Sequence, residues 1–164
     1  MSTTSPYRVI RVTPTIETSE YTAGDVLFNS TEIPNAVYGK GGCSRLVGFG
    51  MTDYSDQLTN DLHIRFTTKQ QNMGTRNSAV SISDADLKTA GLLGFYPVAV
   101  ATFDMDNTNS KSIFFGETST SQVAEIFLQA DTNSTSVYFT AVTAGTITYT
   151  AADDLEFWFL IQQY

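Results

Sequence analysis

The stretch Asp154–Gln163 (DLEFWFLIQQ) decides how the rest of the chain must fold. In an extended backbone Leu155, Phe157, Phe159 and Ile161 fall on one side, and Glu156, Trp158, Leu160 and Gln162 on the other. A two-residue period rich in aromatic side chains is that of a half-buried β-strand. At the 3.6-residue period of a helix, the same four apolar residues would be spread around the circumference. A strand this apolar is expected in the interior of a sheet, so other segments must supply neighbours on both of its sides.

Those segments are recognisable in chain order. Tyr7–Ile16 reads as a first strand, edged by Pro14, which cannot donate to a ladder. Glu17–Asp25 is turn-rich, Asp25–Asn29 reads as a short second strand, and Asn29–Gly42 as a flexible loop ending in Gly39-Lys40-Gly41-Gly42. Arg45–Asp53 is a third strand with Val47, Phe49 and Met51 on one face. Gly48 and Gly50 on its other face point to a bulge or a closely approaching backbone. Leu62, Ile64 and Phe66 alternate with Asp61, His63, Arg65 and Thr67, and Thr68–Ala79 has no apolar period and reads as a surface loop.

One helix is expected, at Asp84–Ala90, because Ser83 can cap it, Asp86 sits three residues on, and Gly91 can supply a left-handed stop. Leu92–Asp104 reads as a buried strand near Val98–Phe103 with Pro97 at its start, and Ser112–Phe115 as another short strand. Val123–Ala130 fits either a helix behind a Ser119/Gln122 capping box or a strand, and its strand-forming neighbours favour the strand. Val137–Thr143 is a strand, Gly145 turns the chain, and Ile147–Thr150 leads into the C-terminal strand. About eight strands without helical crossovers close as an antiparallel sandwich or barrel. The expected fold is an all-β sandwich of jelly-roll type over residues 7–164, preceded by a mobile arm, Met1–Pro6.

Composition narrows the classes of function. A chain of 164 residues naturally forms one domain and buries roughly 70 % of its unfolded surface. The single cysteine, Cys43, can form no internal bridge and is expected to act as a small buried hydrophobe. The start MSTTSPYRVI lacks the apolar core of a secretion signal, and no apolar run approaches the roughly 20 residues of a membrane helix. Synthesis in a reducing cytoplasm is therefore expected. Nine Lys and Arg, scattered singly in a chain of net charge −8, argue against direct nucleic-acid binding, which relies on neutralising phosphates.

No constellation of residues carries chemistry. His63 is the only histidine and lies on the polar face of its strand, with no identifiable nucleophile or orienting partner. One His and one Cys do not make a transition-metal site. Asp104–Asn109 places oxygen ligands at alternate positions as calcium loops do, but lacks the glycine at the sixth position and has Phe115 where the bidentate Glu belongs. A polar turn is the better reading. Asp153/Asp154 and Asp84/Asp86 lie near chain reversals, where turn and cap duties explain them. Gly39–Gly42 departs from the phosphate-loop pattern and no helix follows it. Asn29-Ser30-Thr31 and Asn133-Ser134-Thr135 are glycosylation sequons that matter only on a eukaryotic secretory route. Trp158 is expected to pack between sheets. Catalytic residues, metal and cofactor are all expected to be absent.

Three segments carry a resemblance. Arg11–Leu27 (RVTPTIETSEYTAGDVL), followed by Asn35-Ala36-Val37, is similar to the pattern VTPT…Y..GDV of small structural proteins of tailed bacteriophages, notably aquatic ones. Val80–Leu87 (VSISDADL) and Tyr149–Gln162 (YTAADDLEFWFLIQ) resemble the same family, while Tyr54–Asn60 and Thr68–Ala79 do not align with it. The resemblance implies a virion protein, made in the host bacterial cytoplasm, that decorates or cements the outer surface of the capsid. Its implied partners are the major capsid protein and other copies of itself, as a homotrimer or else a homodimer. Capsid contact is expected through Ser2, Thr3, Thr4, Ser5, Pro6 and Tyr7 together with one end of the sandwich. The alternative is a tail- or fibre-associated domain that recognises a receptor carbohydrate, with Tyr38, Tyr54, Phe95 and Tyr96 as candidate contacts. A jelly-roll enzyme of the cupin kind would need several histidines.

Overall fold

In chain order, β1 (Tyr7–Val12), β2 (Thr31–Ile33), β3 (Cys43–Asp53), β4 (Leu62–Thr67), α1 (Asp84–Ala90) and β5 (Leu92–Val98) are followed by β6 (Asp104–Asp106), β7 (Lys111–Gly116), β8 (Ile126–Gln129), β9 (Val137–Thr143) and β10 (Leu155–Gln163). The structure is a computed structural model that describes residues 6–99, 104–116 and 126–164. One sheet runs β1-β10-β3-β7-β6, with β8 also on β3, and the other runs β2-β9-β4-β5. Every pairing between these strands is antiparallel.

The pairings are nested. β1 pairs with β10, β2 with β9, β3 with β7 and β8, and β4 with β5. The chain is thus one long hairpin folded at β4–β5 and then rolled, so that β10 meets β3 and β9 meets β4. That is a jelly roll, the architecture the alternating pattern implied. β10 occupies the sheet interior because nesting places it beside β1 and rolling places it beside β3.

The two inner faces meet in an aromatic core. Leu155, Phe157, Phe159 and Ile161 of β10 are buried, as are Leu62, Ile64 and Phe66 of β4. Phe139 lies 4.9 Å from Phe159, 5.2 Å from Phe157 and 5.1 Å from Phe28 between ring centroids, mostly edge-on. Such pairs contribute about 0.5–1.5 kcal/mol each beyond the area they bury.

Helix α1 forms as its caps dictate. Ser83 Oγ accepts from Asp86 N at 3.1 Å, and Gly91 closes the helix at φ 66°. A side chain at Gly91 would be strained there, and a Cβ would also lie 3.1 Å from Thr68.

Several expectations are corrected. The described residues form ten strands against about eight expected, because β2 and β6 are three residues long and leave no alternation to detect. Asp25–Asn29 is not a strand. Asp25 and Val26 form only isolated bridges, and Leu27 N donates to Ala141 O before regular pairing with β9 resumes at Thr31. Pro97 lies near the end of β5 rather than at its start. β5 pairs only with β4, and an edge strand tolerates a missing N–H. Of the expected strand at Val98–Phe103, residues 100–103 lie outside the described residues, as do residues 123–125 of the Val123–Ala130 segment, whose remainder is β8.

β3 was misread at one residue. Opposite Leu160 and Ile161 stand Gly48 and Leu46, so Val47 is an inserted residue at a bulge. The bulge changes the inward set from Ser44 and Leu46 to Phe49, Met51 and Asp53, and Val47, though still buried, lies outside the main core cluster. Gly50 admits no backbone. It admits Trp158, whose Cζ2 would lie 2.2 Å from a Cβ at that position. Trp158 consequently covers the outer face of the sheet, stacked on Phe114 at 5.0 Å, and not the space between sheets. Cys43, at the first position of β3 where outward side chains meet solvent, is exposed rather than buried.

Candidate interaction surface

A jelly roll sends its loops to two poles, and here the poles differ in charge. One pole gathers the turns between β1 and β2, β3 and β4, β6 and β7, and β9 and β10. It carries Glu17, Glu20, Asp25, Asp53, Asp56, Asp61, Asp106, Asp153 and Asp154, against Arg76 and Lys111. Arg76 is held by Glu17, with Nε to Oε1 at 2.6 Å. Lys111 stands 3.4 Å from Asp106.

The buried carboxylates at this pole hold turns. Asp53, fully buried, accepts from Ser55 N at 2.9 Å, Ser55 Oγ at 2.7 Å, Gln57 N at 2.8 Å and Leu58 N at 2.7 Å. Asp154 accepts from Thr150 N, Thr150 Oγ1 and Ala151 N between 2.7 and 2.9 Å. Burial alone would raise the Asp154 pKa, but these bonds outweigh it and hold the carboxyl below its ordinary value. Asp153 is exposed beside it, and Asp86 binds the Ser83 cap. Loop-holding accounts for these acids. Asp104–Asn109 is the strand and turn of the β6–β7 hairpin, with Asn107 N bonded to Ser110 O at 2.8 Å. Among the described residues no group of three His, Cys, Asp or Glu side chains could hold a metal ion.

The opposite pole gathers both ends of the described chain and the loops of residues 34–42 and 130–136. Among the described residues it carries Arg8, Lys40, Arg45 and Lys69 against Glu32 and Asp131. Its loops are bonded to one another. Gly41 N donates to Ser134 O at 2.9 Å, Val37 N to Thr135 O at 3.1 Å, and Gln163 Nε2 to Asn35 O at 2.8 Å. Pro6, where the expected arm meets the domain, accepts from Gln163 N at 2.7 Å. Ser2, Thr3, Thr4 and Ser5 lie outside the described residues, while Tyr7 opens β1 and is 50 % exposed.

β1 is also a sheet edge, since among the described residues β10 is the one strand paired with it. The Pro6–Gln163 bond fixes the alternation of the antiparallel ladder. Arg8, Ile10 and Val12 aim their backbone groups at β10, and Val9 and Arg11 aim theirs outward. Among the described residues the other edges are short, as β2, β6 and β8 are, or interrupted, as β5 is by Pro97 and a register shift. β1 has six residues and no such device, which makes it a template for an added strand. Arg11 beside it binds Glu156 and lies 6.0 Å from the Trp158 ring centroid.

The candidate carbohydrate contacts do not converge. Tyr38 stands at the basic pole, Tyr54 at the acidic pole and Phe95 on the outer face of the four-stranded sheet. Tyr96 faces inward against Phe49 at 4.9 Å. His63 is exposed on β4, as its alternation implied. Sequence reading missed the charge polarity of the two ends, which was accessible only by assigning each loop to its pole.

No protein-family model matches the chain. No curated protein matches it either. A search of solved structures returns "Structure of infectious bursal disease virus Gx strain", with 13 % identity and a TM-score of 0.18 over 95 % of this chain and 36 % of that one. The chain thus spans about a third of that chain's length. At that TM-score the likeness carries no argument.

Proposed function

We propose that this protein is a virion structural protein that decorates a phage capsid, binding the outer surface of the major capsid lattice and bracing neighbouring subunits. The resemblance to small phage structural proteins suggests the role. The observation that supports it is the basic pole, where the root of the arm, the far end of β10 and two interbonded loops share one surface. That pole faces the shell, and the acidic pole faces solvent.

Self-association uses the outward edge of β1. The arm Met1–Pro6 of one copy adds to the β1 edge of the next, a heterologous contact that closes as a ring and gives a homotrimer. Pairing β1 with β1 across a two-fold axis would give a homodimer instead. Many weak contacts around a symmetric shell suffice for tight retention.

The test is co-sedimentation with mature capsids that lack the protein, at two salt concentrations. Saturation at a fixed copy number per shell, weakened by salt through the basic pole, is expected. Deleting Met1–Ser5, which spares the Pro6–Gln163 bond, should dissolve the oligomer and weaken capsid binding while leaving the monomeric domain folded. Undiminished binding by the deletion variant would refute the arm's role. No binding by the intact protein would refute decoration and favour a tail or fibre domain that recognises carbohydrate.

A further inference from the structure

Away from both poles, the outer face of the four-stranded sheet bears an open depression of about 370 Å³ lined by His63, Arg65, Leu87, Leu92, Phe95 and Pro97. Its floor consists of two cross-strand pairs of β4 and β5, His63 with Pro97 and Arg65 with Phe95. One wall is α1, which brings Leu87 over the sheet. The helix end is fastened there by Thr68 N to Gly91 O at 2.9 Å and Lys69 N to Ala90 O at 3.0 Å. The size is that of a small-ligand site, and the lining is mostly apolar with few polar groups, as such sites are. Phe95 is 68 % and Leu92 47 % exposed, so nothing among the described residues covers the apolar wall.

The polar groups are the informative part. Arg65 is half-buried, and its described contact is Nη1 to Met73 Sδ at 3.6 Å, a weak acceptor. Among the described residues no carboxylate reaches it, in a chain that holds 17 Asp and Glu. His63 stands beside it with no hydrogen-bond partner among the described residues. A guanidinium partly withdrawn from water is best satisfied by a planar or tetrahedral anion that accepts two parallel bonds.

We propose that this depression binds an amphipathic organic anion. Its carboxylate or sulfonate sits on the Arg65 guanidinium with a His63 N–H as second donor. Its apolar body lies on Leu87, Leu92, Phe95 and Pro97. The site is independent of the basic pole and of the β1 edge, so capsid binding and ligand binding can be lost separately.

The test uses two fluorescent probes on the intact folded protein: 8-anilinonaphthalene-1-sulfonate and its uncharged counterpart N-phenyl-1-naphthylamine. Saturable one-to-one binding of the sulfonate is expected, about 10- to 100-fold tighter than the neutral probe, the range for a hydrogen bond to a charged group. Arg65→Met should abolish that preference while leaving the neutral probe's affinity unchanged, and Arg65→Lys should restore part of it. Phe95→Ala should weaken both probes. Equal affinity for the two probes on the wild-type protein would overturn the proposal without recourse to any variant. So would sulfonate binding that survives Arg65→Met.

Discussion

Replacing Gly50 by alanine tests the placement of Trp158 on the outer face. The new methyl would lie 2.2 Å from Cζ2, 2.4 Å from Cε2 and 2.6 Å from Cη2 of the indole, so the ring must leave its shelf. Leaving forfeits the stack on Phe114, whose rings are 8° from parallel, worth about 0.5–1.5 kcal/mol. It also forfeits the Arg11 contact at 6.0 Å, worth about 0.5–1 kcal/mol at an exposed site. The strain of forcing a ring off a packed surface adds to both. Against these stands the gain of about 0.5–1 kcal/mol from stiffening the unfolded chain when glycine becomes alanine. The net is a loss of about 1–2 kcal/mol, which in a domain of this size lowers the melting temperature by about 2–8 °C.

Trp158 is the only tryptophan in the chain, so its emission reports the displacement directly and should shift to the red. In a double-mutant cycle with Trp158→Ala, the cost of Gly50→Ala should vanish, because nothing then occupies the space above β3. A Gly50→Ala protein that melts at or above wild type with unchanged emission would refute the placement.

Two further outcomes concern titration. The Tyr149 hydroxyl is buried without a hydrogen-bond partner among the described residues, and burial first, then Asp53, Tyr21 and Asp154, push its pKa well above the ordinary value. The folded state therefore keeps a proton that the unfolded chain releases above about pH 10, so stability is steady below that pH and falls as pH rises beyond it. Tyr149→Phe should match wild type near neutrality and outlast it in thermal melts at pH 11, and parallel alkaline curves would contradict this. Asp154 has the opposite sign. Its lowered folded-state pKa gives stability that is complete above the unfolded value near about 3.9 and is lost as pH falls through the folded one. Asp154→Asn should thus be less stable at neutral pH and show a shallower acid limb in urea melts between about pH 2 and 5.

The jelly roll was legible in the sequence where strands were long enough to alternate. β4, β9 and β10 each announce an inner and an outer face, and Ser83, Asp86 and Gly91 delimit α1 to the residue. Reading failed where a single residue changed the parity. Val47 sits in the expected apolar row of β3, yet as the bulge residue it belongs to neither inner set; Gly48 beside it signalled a bulge, but not which residue is the inserted one. It failed again for Trp158. The alternation of β10 already placed that residue opposite Phe157 and Phe159, but its size suggested burial between sheets. The vacancy that receives it lies at Gly50, more than a hundred positions earlier, and is visible only once β10 and β3 are in register. The depression beneath α1 was hidden for the same reason. Arg65 and Phe95 become neighbours through the β4–β5 ladder, and Leu87 reaches them only because the loop closes Gly91 onto Thr68.

The nesting of β1 with β10 also governs when the domain can exist during synthesis. Until β10 is available, the inner edges of β1 and β3 both lack their shared neighbour, and the core lacks Phe157 and Phe159. The β6–β7 hairpin and then β4–β5 can close early, since they join segments near in sequence, whereas the pairings that wrap around them must span ever longer stretches of chain. Folding dominated by such distant pairings is slow, and the waiting strands are open to the wrong partners. The sheet and most of its aromatic core are therefore expected to form together, when β10 docks between β1 and β3, rather than piecemeal.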